Sequence, residues 1–202
     1  MAVIDHIRAC NAWDPARFAP LWRGSDRIGR VAVDRLPTLS ASPEFFEDDA
    51  CGGLALKPPS GDPDQDGAAF DAVFRPHFAS LPDVGGWRGE KLDVAPRRGA
   101  PAALRVERCL VPVLGAKAYG VHVNAFVPTA DGPAIWTARR AKTLGSFPGQ
   151  LDHMVAGGIA TGYGPFETVV KEADEEAGVP DALARRARAV GVVSYTVAMS
   201  GG

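Results

Sequence analysis

Cysteine is scarce and dispersed: Cys10, Cys51 and Cys109 share no CxxC or Cys/His spacing. An odd, scattered set argues against a disulfide framework and a thiolate metal site. It reads instead as reduced thiols of a cytoplasmic protein, each a small buried hydrophobe. No basic stretch interleaved with aromatics occurs and the formal net charge is −2, which argues against nucleic acid as the main partner. Long apolar runs are missing too. The N-terminal MAVIDHIRACNAWD reads as neither a secretion signal nor a membrane span. Internal repeats and low-complexity tracts are also lacking. What remains is a 202-residue chain, 46% hydrophobic, of ordinary globular composition with room for one or two domains.

Local patterns predict a mixed α+β chain. Residues 2–10 and 14–22 read as short helices, the second with Asp14 as cap and Pro15 in its first turn. Val31–Val33 and Gly53–Lys57 read as strands. Pro58–Gly67, PPSGDPDQDG, reads as an exposed turn-rich loop. Phe70, Val73, Phe74, Phe78 and Leu81 then fall at helical spacing over 68–81, a core stripe with His77 on its flank. Trp87–Val94 reads as a strand and RRGAP (97–101) as a linker, which sets the domains at 1–103 and 104–202. Leu104–Leu114 reads as a helix shortened or kinked by Pro112. Tyr119–Pro128 and Ala134–Arg139 read as strands around an Asp131-Gly132 turn. Residues 165–177 and Asp181–Ala189 read as helices, and Val192–Ala198 as a final strand.

The most informative segment is GGIATGYGPFETVVKEADEEAGV, 157–179. A double-glycine turn, Gly157-Gly158, leads toward a helix with Pro165 at its start and Gly178 as its cap. Glu172, Glu175 and Glu176 stand at i, i+3 and i+4, so they share one helical face. Like charges at that spacing repel by about a few tenths of a kcal/mol per pair. A cation would relieve them, and hard oxygen ligands suit Mg²⁺ or Mn²⁺, which in turn suit a phosphate substrate. A plain acidic, solvated face is the competing reading.

The segment resembles the Nudix box, G-x5-E-x7-R-E-U-x-E-E-x-G-U with U aliphatic. Gly157, Glu172, Glu175, Glu176, Gly178 and Val179 match, and Ala173 fills an aliphatic position weakly. Tyr163 stands where the pattern has its early glutamate, and Lys171 where it has arginine. The two departures fall on both members of one salt bridge, so no orphaned buried charge is implied. AYGVHVNAFV (118–127), IWTARRAK (135–142) and FPGQLDHMVAGGIATG (147–162) are similar to one Nudix subgroup. That subgroup has an extra N-terminal domain of uncharacterised type and includes the Nudix part of fungal thiamine pyrophosphokinases and related plant hydrolases. IDHIRACN, RIGRV, WRGEKLDV and VERC resemble the extra domain.

The resemblance implies a Nudix α/β/α sandwich with a mixed sheet, C-terminally incomplete at about two-thirds of a usual domain length, after a small α+β domain. It implies Mg²⁺- or Mn²⁺-dependent hydrolysis of a small diphosphate, thiamine diphosphate or its oxidised derivatives first, to a monophosphate. Glu172, Glu175, Glu176 and the carbonyl of Gly157 would hold metal, and Glu172 or Glu176 would take the water proton. Arg139, Arg140 and Lys142 are candidates to grip phosphate, although strand geometry turns Arg139 and Arg140 to opposite faces. Lys171 would contact phosphate or brace Tyr163. The Arg185, Arg186 and Arg188 cluster reads as a solvated face. Trp87 and Trp136 read as core, with ring stacking on substrate as the alternative. A nucleoside diphosphate derivative such as ADP-ribose, and a catalytically silent binding module, are the competing functions. Neither nucleic acid nor membrane is expected as a partner, and a homodimer has no mark in the sequence.

Overall fold

Ala19 and Leu21 are buried while their neighbours in the chain are only partly so, a two-residue alternation that makes Phe18–Arg23 a strand, β1. Helix was the expectation for 14–22. Asp14 does cap, accepting from the Ala16 amide at 3.0 Å, but the helix it starts is one 3-10 turn, Pro15–Arg17. Pro20 and the β-forming Phe18 and Trp22 then favour extension. The computed structural model describes residues 2–11, 13–50, 52–81, 84, 86–143 and 147–198, so the expectation for Cys51 lies outside the described residues, as does that for the Cys10 side chain.

The chain divides into two compact units, residues 1–117 with 191–202, and 118–190. In the first unit, helix α1 (Val3–Cys10) precedes β1, and β2 (Asp26–Ala32) pairs antiparallel with β1 through a bulge at Leu21/Trp22. A short helix α2 (Leu36–Ser40) leads to β3 (Phe46–Asp48) and β4 (Leu54–Leu56). The strand order is β2-β1-β4-β3, with β1 and β4 parallel, so the sheet is mixed. Pro20 sits outside the two-residue β1–β4 pairing, where a missing N–H costs nothing to that ladder.

Helix α3 (Pro63–Phe78) begins five residues earlier than its apolar stripe predicts. Asp62 caps it, accepting from the amides of Asp64 and Gln65 at 2.9 Å each. The expected exposed loop therefore ends at Asp62, and Asp66 and Gly67 are buried. Asp66 ties down the preceding turn through the Ser60 amide and hydroxyl and the Gly61 amide. A β-carbon on Gly67 would run into the main chain of Arg105, so this glycine sets how closely α3 lies on the next strand pair. Phe70, Phe74 and Phe78 form the expected core stripe with Phe45 and Phe46, Val73 packs partly buried against it, and Leu81, expected in the stripe, is exposed, as is His77.

That pair is β5 (Lys91–Val94) with β6 (Leu104–Glu107), antiparallel with Val94 opposite Leu104. A helix over 104–114 is thus corrected to a strand, a 3-10 turn at Arg108–Leu110, and further turns. Its apolar residues are buried as expected, but Leu104 and Val106 by strand alternation. RRGAP lies in the loop joining two paired strands of the first unit, and the division between units falls at 117/118 rather than 103/104. Glu107 is fully buried and accepts from the amides of Arg88 (2.7 Å) and Gly89 (3.0 Å). Asp71 accepts from the Glu107 amide and pairs with Lys91. Burial, then the carboxylates of Glu107 and Asp71, push the Cys109 thiol up to about 11, so it stays a protonated, inert core thiol.

In the second unit β7 (Gly120–Val123) is followed by the hairpin β8 (Phe126–Thr129) and β9 (Gly132–Ile135), whose two-residue turn is Ala130-Asp131, one residue earlier than the expected Asp131-Gly132, with Gly132 already paired to Thr129. Strands β10 (Thr137–Arg139) and β11 (Leu151–His153) pair antiparallel, as do β7 and β12 (Val155–Gly158). Helix α4 (Pro165–Ala177) packs on β12, burying Ala173 with Val155 and Ala184, and is followed by the short α5 (Asp181–Ala184). The predicted helix to Ala189 stops there, and 192–198 forms no strand. The fold class is α+β with a mixed sheet. Among the described residues no helix is long and apolar enough to cross a membrane.

Candidate functional site

Every signal for α4 is local, and the helix occupies the predicted span. Gly164 caps it, Pro165 opens it, and Gly178 closes it in the left-handed region at φ 60°. The Val179 amide donates to Ala173 (2.9 Å) and the Gly178 amide to Asp174 (3.0 Å). Ala173 and Thr168 face inward, with the Thr168 hydroxyl donating to Gly164, which leaves the glutamates on the rim.

Gly157 and Gly158 are not a turn but the end of β12; the turn follows, around Gly162. A β-carbon at 157 would collide with Cγ and Cδ of Glu172, so the glycine is what lets this side chain lie where it does. Glu172 consequently lies against the strand, its side chain 14% exposed. Glu176 reaches the same strand, where its Oε2 accepts from the Ala156 amide at 3.0 Å. Ile159 donates to Tyr119 across the β12–β7 register, so by the two-residue ladder period the carbonyl of Gly157 turns toward β7. A main-chain oxygen offered on the α4 side would come from Ala156 or Gly158.

Lys171 connects the other glutamate. Its Nζ donates to Glu175 Oε2 at 2.6 Å and to Glu172 Oε1 at 3.2 Å. These bonds, Glu175's first, raise the Lys171 pKa against the opposing effect of burial, so the ammonium persists. A cation thus already sits between two of the three carboxylates. Among the described residues no three His, Cys, Asp or Glu side chains are gathered as a metal cluster. The donors nevertheless fit a hard divalent cation: all are carboxylates, two meet one strand edge, and a positive group draws two together.

The expected phosphate-gripping residues lie on and just beyond β10. Arg139 donates to the Gly149 carbonyl at 2.9 Å, and Arg140 pairs with Asp152 at 2.7 Å. The Arg140 bond is the first cause holding the Asp152 carboxyl below its ordinary value. Lys142 is exposed. Arg185, Arg186 and Arg188 are exposed as expected, with Arg185 paired to Asp181. Trp87 is partly buried against the core under the Arg75 guanidinium. Trp136, expected in the core, is 59% exposed.

Trp136 lines a cleft of about 290 Å³ with Asn124, Thr137, Leu151, Asp152 and His153. Beside it the His122 and His153 rings stand 4.6 Å apart. Partial loss of water, then the charge of His153, holds His122 below the ordinary histidine value. Neither histidine was singled out in the sequence. Their one signal is that His122 and His153 both lie on strands flanking the double glycine.

The family described as domain of unknown function (DUF4743) matches residues 2–118. Nudix hydrolase 24, chloroplastic, of Arabidopsis thaliana is 44% identical over 112 residues, 55% of this chain and 31% of its own length. Nudix hydrolase 20, chloroplastic, of the same plant is 42% identical over 112 residues, 55% of this chain and 30% of its own length. An uncharacterized protein of Saccharomyces cerevisiae is 38% identical over 176 residues, 82% of this chain and 50% of its own length. The chain is therefore related to Nudix hydrolases and spans between about a third and half of these relatives. Two of them are chloroplastic by name, whereas the cysteine pattern suggested a cytoplasm. Cysteine usage separates oxidising from reducing compartments, not one reducing compartment from another.

Proposed function

Because the chain belongs to the family described as domain of unknown function (DUF4743), and is related to Nudix hydrolases, we propose that it hydrolyses a small organic diphosphate with a divalent cation. The observation that carries this reading is the meeting of Glu172 and Glu176 on the Ala156–Gly157 edge of β12, with Glu175 drawn toward Glu172 through Lys171. Glu172, Glu175 and Glu176 would hold Mg²⁺ or Mn²⁺. When bound, such an ion neutralises charge on diphosphate oxygens and lowers the pKa of water.

The chain's own residues have the remaining tasks. Either Glu172 or Glu176 takes the proton of the attacking water. The water oxygen joins the terminal phosphorus, the bridging P–O bond breaks, and the products are a monophosphate and orthophosphate. Lys142 is exposed, whereas Arg139 is held by the Gly149 carbonyl and Arg140 by Asp152, so Lys142 is the first candidate for phosphate oxygens, with the two arginines behind it. Thiamine diphosphate and its oxidised forms are the proposed substrates. The subgroup resemblance supports them, and the exposed Trp136 beside the Asp152 carboxylate suits a cationic ring.

One observation favours a second reading, a module that binds without turnover: Lys171 already neutralises Glu172 and Glu175. Product masses after incubation with Mg²⁺ and thiamine diphosphate, its oxidised derivatives, ADP-ribose or NADH separate the cases. Monophosphate from the thiamine compounds alone supports the proposal. Products from the nucleotides alone change the substrate, and none from any compound favours the binding module.

A further inference from the structure

The first unit holds its own cleft, of about 430 Å³, lined by Trp13, Pro15, Phe18, Pro20, Trp22, Arg27 and Arg30. Its walls are aromatic and prolyl, and both charged groups are cations. The Arg30 guanidinium lies over the Trp13 ring, 5.1 Å from its centroid, and Trp13 meets Phe18 edge-on at 5.5 Å. Stacking of this kind occupies the face of the guanidinium and leaves its N–H edge for an oxygen acceptor.

Three observations say that the cleft lacks a partner. Among the described residues neither Arg27 nor Arg30 is paired with a carboxylate. The nearby Asp14 is turned into its own 3-10 turn, accepting from Ala16. Burial, then the charge of Arg27, lowers the Arg30 pKa, as expected for a cation with a like neighbour and no counter-charge.

We propose that this cleft is a binding site for a planar, uncharged aromatic ring that carries a phosphate group. The ring stacks within the wall of Trp13, Phe18 and Trp22, and the phosphate takes the N–H groups of Arg27 and Arg30. The volume suits one ring with its phosphate, at the lower end of small-molecule sites. A cationic ring is disfavoured by the two arginines, so the ligand class differs from the thiamine compounds proposed for the second unit.

The test is calorimetric titration of the full chain with AMP, beside adenosine and inorganic phosphate. Saturable AMP binding is expected, with adenosine and phosphate each weaker by about ten-fold or more. Arg27→Gln, at an exposed position that should leave folding intact, and Arg30→Gln should each weaken AMP by about ten-fold. Glu176→Gln should leave AMP affinity unchanged. No saturable binding up to about 10 mM AMP, unchanged affinity in both arginine variants, or loss of binding in Glu176→Gln would each overturn the assignment.

Discussion

Lys171 holds Glu172 and Glu175 together, at 3.2 and 2.6 Å from its Nζ. If a divalent cation belongs among these carboxylates, the ammonium competes with it. Lys171→Met should therefore tighten Mn²⁺ binding about several-fold, measured by relaxation enhancement of water protons; weaker binding would make Lys171 a supporting residue instead. Gly157→Ala addresses the same cluster from the strand. The added methyl would displace the flexible Glu172 side chain rather than the backbone. Turnover should fall by about 100-fold with a melting temperature close to that of the parent. Asp152 supplies the pH dependence. Its folded-state carboxyl is held down by Arg140. The pair's contribution is present above the ordinary aspartate range and is lost as pH falls through it toward the depressed value. Melting curves of the parent and Arg140→Gln should accordingly differ near neutrality and converge in acid.

At the scale of elements, α4 was legible because its limits and its charged face are written within thirteen residues and two flanking glycines. Replacing Gly178 by alanine places a side chain at φ 60° and should cost about 1 kcal/mol, read from denaturant unfolding of the second unit. β1 was not legible as a strand, since the Asp14-Pro15 start is real but ends after one 3-10 turn. Leu104–Leu114 misled differently. Val106, Cys109, Leu110, Val113 and Leu114 fall at helical spacing, yet Val94 and Leu92 pair across to Leu104 and Val106. Such long-range pairing overrides a local period. Glu107 belongs to that tertiary layer and could not be seen in the sequence. Glu107→Ala leaves the Arg88 and Gly89 amides without their acceptor and should cost about 3 kcal/mol; a loss below about 1 kcal/mol would show that water replaces it.

At the scale of the whole molecule, the chain comprises two units that divide after Lys117, and the described family match ends one residue later, at 118. The sequence placed that division at 103, because RRGAP has the composition of a linker while serving as a loop between paired strands. It located the glutamate face and the glycine beneath it, but not that Gly157 is in a strand, that Lys171 spans two carboxylates, or that Trp136 is exposed beside His153. Each of these depends on which strand lies next to which. The metal-dependent reading of the second unit is tested most directly by Mn²⁺ titration of the intact chain, followed by electron paramagnetic resonance. A variant carrying Glu172→Gln, Glu175→Gln and Glu176→Gln together is titrated beside it. Saturable Mn²⁺ binding weakened by at least about ten-fold in the variant is the expected result. Equal binding by the two chains would contradict it, because the ion would then have no need of the three glutamates.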